Sequence, residues 1–122
     1  MMYSYPHLFN LNPGAKAFLD LGCGQGLVSL YAAARGLKVE AIDIEKEAPP
    51  PLQDVKNINY VSADLKDWNP TGTYDIIIAQ HSIQFLPKEY ALGKLLPRLR
   101  DALNPGGVVE IFTFSPEETL DV

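Results

Sequence analysis

FLDLGCGQG, residues 18–26, decides how this chain folds. Phe18 and Leu19 continue an apolar run from Ala17 that ends in Asp20, and glycines follow at 22, 24 and 26. That order reads as a buried strand feeding a tight turn and then a helix. Glycines there let the backbone pass close to a ligand where a side chain would collide.

Working outward, Leu27, Leu30, Tyr31 and Ala34 recur at helical spacing, and Arg35-Gly36 supplies a stop. Leu37 to Ile42 reads as a second strand ending in Asp43, and Ile58 to Ser62 as a third ending just before Asp64. Between them Pro49, Pro50 and Pro51 exclude an ordinary crossover helix, because each lacks an N–H donor and disfavours helical geometry in the residue before it. Any helix there is confined to Leu52–Val55. Tyr74 to Ala79 follows a Pro70-Thr71-Gly72 turn and is nearly all apolar, as in a strand covered on both faces. Leu92, Leu95, Leu96, Leu99 and Leu103 then form a core-facing stripe opposite Lys94, Arg98, Arg100 and Asp101. Pro97 inside that stripe predicts a kink or a fresh helix start. Asn104 to Gly107 closes the helix, and Val108 to Phe114 reads as the fifth strand.

Strand and helix alternate, so the expected fold is α/β. Residues 1–122 form one domain, built on a doubly wound, mainly parallel five-stranded sheet with helices on both faces. Ligands of such sheets bind beyond the carboxyl ends of the strands, where Asp20, Asp43, Asp64 and the Gln80-His81 pair fall.

Composition narrows the function. A chain of 122 residues that is 47% hydrophobic can build one real core and not two. Fifteen acidic residues against ten Lys and Arg give a net charge of -5, without the cationic footprint of a nucleic-acid binder. The single Cys23 allows no internal disulfide, and MMYSYPHLF has no signal-peptide pattern, which together fit a reducing cytoplasm. No apolar run approaches the ~20 residues of a membrane span.

The glycine spacing is G-x-G-x-G, not the G-x-G-x-x-G of dinucleotide-binding turns. Asp20 beside it would repel a diphosphate and suits a ligand carrying an ammonium and a sulfonium. Asp43 is placed to accept both hydroxyls of an adenosine ribose, with Ile44 beside it, though this alone does not separate a nicotinamide dinucleotide from S-adenosylmethionine. Asp64 is placed to accept from an exocyclic adenine amine, with Leu65 donating its N–H to a ring nitrogen and Ala63 alongside. Cys23 is counted with the turn, its thiol a small buried filler in preference to a nucleophile. His81 reads either as a general base for a substrate hydroxyl or as a hydrogen-bonded structural histidine. Tyr3, Tyr5, His7 and Phe9 read either as an aromatic lid over the sulfonium or as a disordered or core-packed terminus.

FLDLGCGQG, VEAIDIE, YVSADLKDW, YDIIIAQHSIQFL and LNPGGVVEIF, in this order over residues 18–114, resemble the class I, Rossmann-like S-adenosylmethionine-dependent methyltransferases. The resemblance implies a sheet of order 3-2-1-4-5 and S-adenosyl-L-methionine as cofactor. It implies that Asp20, Gly22, Gly24 and Gly26 cradle the amino acid part, Asp43 holds the ribose, and Asp64 with Leu65 holds adenine. Gln80 and His81 would flank the methionine moiety and the methyl group. A narrower similarity, carried by GCGQG, SLY and QFL, is to the tellurite-resistance type of small-molecule methyltransferase.

The expected function is methyl transfer to a small-molecule acceptor, the alternative being a non-catalytic cofactor-binding or subunit-pairing module. An NAD-dependent oxidoreductase is disfavoured by the glycine spacing. No metal is expected, because displacement at a sulfonium needs chiefly alignment and exclusion of water. Family members usually finish with two more strands, which this chain is expected to lack. The fifth strand is then an apolar edge, covered by the N-terminal arm, by a further segment or, most simply, by a second copy in a homodimer.

Overall fold

The structure, a computed structural model, describes residues 12–80 and 86–112, with the backbone alone at Gln80 and Phe112. Five parallel strands lie in the order β3-β2-β1-β4-β5: β1 Ala17–Leu21, β2 Lys38–Asp43, β3 Ile58–Ser62, β4 Tyr74–Gln80 and β5 Leu103–Phe112. The expected order is met. Phe18 lies beside Val39 of β2 and Ile76 of β4, so β1 is the axis of the sheet.

Alternation along the strands sorts the core into two layers. Phe18, Val39, Ile76 and Ile78 face helix α1, Leu27–Ala34, and pack on Val28 and Ala32. Leu19, Leu21, Ile42, Ile77 and Ala79 face the opposite way and pack on Ala91, Leu95 and Leu99. Helices therefore cover both faces. Among the described residues none is long and apolar enough to cross a membrane.

Four local expectations are corrected. Helix α1 buries Val28, Ser29 and Ala32, whereas Leu27 is 69% exposed and Ala34 is exposed. Of the apolar residues chosen from spacing, Leu30 and Tyr31 pack at the margin of the core while Leu27 and Ala34 face out, because the inner face includes a serine with a buried partner. The segment after β2 makes one 3₁₀ turn at Pro50–Leu52, earlier than Leu52–Val55. Prolines fit its first positions, where no N–H is needed, and Leu52 is buried against Cys23 and Ala41.

The leucine stripe is broken. Helix α2, Lys88–Tyr90, passes through a π turn at Ala91–Leu95 into helix α3, Leu96–Asp101, with Pro97 in its first turn. Pro97 does mark a fresh helix start. The wider turn shifts the phase, so Ala91, Leu95 and Leu99 point inward while Leu92 is 52% exposed.

Asn104 to Gly107 does not close that helix; it forms an irregularity inside β5, between the pairs Tyr74–Leu103 and Ile76–Val108. A Cβ at Gly107 would lie 2.9 Å from the Asn104 carbonyl, so only glycine fits. Beneath this bulge Asp75 ties three strands together at their amino ends. Its Oδ2 accepts the N–H groups of Lys16 at 2.8 Å and Ala17 at 3.0 Å, and its Oδ1 accepts Asn104 Nδ2 at 3.0 Å. Nearby, Tyr74 Oη donates to Glu40 Oε1 at 2.6 Å.

Candidate functional site

The turn after β1 is fastened to the end of β2, because the N–H groups of Gly22 and Cys23 both reach the Ile42 carbonyl, at 2.8 and 3.0 Å. Gly24 and Gly26 adopt φ of +56° and +88°, a left-handed backbone that side chains resist. Around Gly24 the space is open, with nothing within 4 Å of a would-be Cβ. Gly26 is the reverse: a Cβ there would lie 2.6 Å from the Leu52 side chain.

Asp43 closes β2 and joins the two edges of the site. Its Oδ2 accepts the Gly24 N–H at 2.8 Å and its Oδ1 the Ile44 N–H at 2.7 Å. Among the described residues neither oxygen has a further partner, so each keeps a lone pair. Beside it lies a groove of about 450 Å³, lined by Gly24, Gln25, Asp43, Glu45, Glu47 and Tyr60 and walled by Ala48, Pro49 and Pro50. Ile44 stands 63% exposed at the same edge.

Asp20 is placed differently from its expected role beside a cationic ligand. Strand alternation turns it under α1, where it is 1% exposed and accepts Ser29 Oγ at 2.7 Å. Burial pushes its carboxyl up to about 6, against the Ser29 hydrogen bond and with the Asp43 charge adding to the rise. The acidic wall of the groove comes from Asp43, Glu45 and Glu47, of which the last two were missed for want of any motif around them. Ser29 was missed because a polar residue breaks an apolar pattern. The Cys23 thiol, also buried, is pushed up to about 12 by desolvation and stays protonated, in keeping with a filler.

The loop after β3 begins where the Ala63 N–H reaches the Asp43 carbonyl at 2.8 Å. Asp64 Oδ1 accepts the Lys66 N–H at 3.0 Å and the Asp64 carbonyl accepts the Asp67 N–H at 2.9 Å, which coils the loop into a compact turn. The Leu65 N–H has no hydrogen-bond partner among the described residues. Trp68, 6% exposed, ends the loop inside the core cluster against which Leu65 and Tyr90 also pack. The structure thus gathers Gly22, Cys23, Gly24, Gly26, Asp43, Ile44, Ala63, Asp64 and Leu65 along one edge of the sheet, with Asp20 beneath it. The Gln80 side chain and His81 lie outside the described residues, as do Tyr3, Tyr5, His7 and Phe9.

Comparison with known proteins identifies the family. A family model described as a methyltransferase domain matches residues 4–120. Trans-aconitate 2-methyltransferase of Escherichia coli is 36% identical over 98 residues, which are 75% of this chain and 36% of that protein. The chain therefore spans about a third of the length of the curated relatives it matches. A sugar N-methyltransferase of Streptoalloteichus superposes with a TM-score of 0.76 at 21% identity, over 97% of this chain and 49% of its own. A DhpI–SAM–HEP complex superposes at 0.72 with 27% identity, over 93% of this chain and 55% of the other.

Proposed function

The chain belongs to the methyltransferase domain family, and from that premise we propose that it binds S-adenosyl-L-methionine and directs methyl transfer to a small-molecule acceptor. The observation that carries this reading is Asp43, held between the Gly24 and Ile44 N–H groups with lone pairs to spare at the groove. Two such lone pairs suit the paired hydroxyls of a ribose. The open space over Gly24 admits a close-lying ligand, exposed Ile44 offers an apolar surface for a base, and the Leu65 N–H, unpartnered among the described residues, offers a donor to a ring nitrogen. An acidic wall suits a cation and opposes a diphosphate. When bound, the cofactor supplies a methyl group on a sulfonium; the chain's own task is to orient it and keep water out.

The curated relatives support a small acceptor, being named for trans-aconitate. His81 remains our candidate base for an acceptor hydroxyl, and a reducing cytoplasm our proposed setting. We further propose that a second copy covers β5, whose Ile111 is 38% exposed at the end of the sheet.

Calorimetric titration with S-adenosylhomocysteine tests the core of the reading. Micromolar affinity is expected, weakened by about 1.5 to 3 kcal/mol in Asp43→Ala, the order of a lost pair of charge-assisted hydrogen bonds. Unchanged affinity in that variant removes Asp43 from the site. A methyl-transfer assay across small acids, amines and alcohols then separates an enzyme from a binding module.

A further inference from the structure

The loop that would read adenine is held from outside by a residue no motif contains. Tyr90 Oη donates to the Leu65 carbonyl at 2.7 Å, and Arg98 Nη1 donates to Tyr90 Oη at 3.3 Å with its guanidinium 5.9 Å from the Tyr90 ring centroid. Tyr90 ends α2 and Arg98 sits in α3, on opposite sides of the π turn. In a regular α-helix eight residues would rotate Arg98 by about 80° away from Tyr90. An i→i+5 turn advances less per residue and brings the two back onto one face.

The consequence falls on two neighbouring peptide planes. The plane joining Leu65 to Lys66 is fixed at both ends, its carbonyl by Tyr90 and its N–H by Asp64 Oδ1. The plane joining Asp64 to Leu65 is fixed at its carbonyl by the Asp67 N–H. Only its Leu65 N–H is left without a partner among the described residues. We infer that Tyr90, braced by Arg98, is a positioning residue for base recognition: it aims the Leu65 N–H at the adenine ring nitrogen next to the exocyclic amine. This rests on the adenosine-binding reading given above.

The test uses the full chain and two ligands, S-adenosylhomocysteine and its analogue with C–H in place of that ring nitrogen. The wild-type protein is expected to prefer the natural ligand by about 5- to 10-fold, the range of one net hydrogen bond. In Tyr90→Phe the preference falls to within twofold, through weaker binding of the natural ligand alone. Arg98→Met shows part of that loss, and Arg98→Lys, which keeps a donor, restores it. A merely structural Tyr90 would weaken both ligands equally. A wild-type preference that survives intact in Tyr90→Phe overturns the inference while leaving adenosine binding in place. Failure of the wild-type protein to bind S-adenosylhomocysteine overturns the underlying reading instead.

Discussion

The two ends of the sheet hold carboxylates of the same kind in opposite circumstances. At the amino ends Asp75 fills all but one of its roughly four acceptor sites with two backbone N–H groups and the Asn104 amide, and the Lys16 N–H above all holds its carboxyl below the usual range. Glu40 beside it takes the Tyr74 phenol. At the carboxyl ends Asp43 accepts one N–H at each oxygen and faces a groove, and Asp64 spends one oxygen on its own turn. Acidity and strand position do not separate structural from ligand-facing acids. The lone pairs left over do.

The division breaks hardest at Asp75. Asp75→Ala should lower stability by about 2 to 4 kcal/mol through three lost hydrogen bonds, with unchanged S-adenosylhomocysteine affinity wherever the variant is folded. Its folded carboxyl titrates low, so the stability it adds is present above the ordinary carboxylate pKa and fades as acid protonates it. Denaturant titrations at pH 7 and pH 3 check both points. A matching loss of affinity at pH 7 would dissolve the distinction between the two ends.

Asp20 sharpens the comparison, being at the carboxyl end yet closed off. Its folded pKa is raised, so its contribution to stability is full below about pH 4 and is lost as pH rises through about 6, by up to about 3 kcal/mol. Asp20→Asn should remove that decline. Thermal melts from pH 4 to pH 8 in both proteins, compared as a difference, would expose a freely ionising Asp20 by parallel curves. The smallest effect is at Tyr74→Phe, where loss of the 2.6 Å bond to Glu40 should remove about 1 kcal/mol and leave the ligand site untouched. A measurable change in ligand affinity there would extend the amino-end network into the site.

The sheet was legible because turn-forming residues, Gly, Pro, Asn and Asp, bracket its apolar runs; β3 at Ile58–Ser62 falls where the pattern places it. What failed depends on distant partners. The inner face of α1 hides behind Ser29, which is buried only because Asp20 awaits it. Leu92 is exposed because a π turn resets the helical period, which no 3.6-residue template follows. Asn104 to Gly107 looks alike in sequence whether it ends a helix or bulges a strand. Within the site, the glycine turn, Asp43 and the Asp64-Leu65 pair are local signatures directly after strands. Glu45, Glu47 and Tyr90 carry no such mark, and the partner of Tyr90 at Leu65 is 25 residues away.

The strand order also sets a timetable. Every residue of the glycine turn, Asp43 and the Asp64–Leu65 loop precedes Trp68, so a chain leaving the ribosome holds the whole ligand motif before β4 exists. At that stage β1 is paired on one side only, and Asp75, Tyr90 and Arg98 have yet to emerge. Parallel pairing of β1 with β4 must wait for a connection that closes across β2 and β3, which makes it a slow step. The bracing proposed for Leu65 therefore waits until α3 is made.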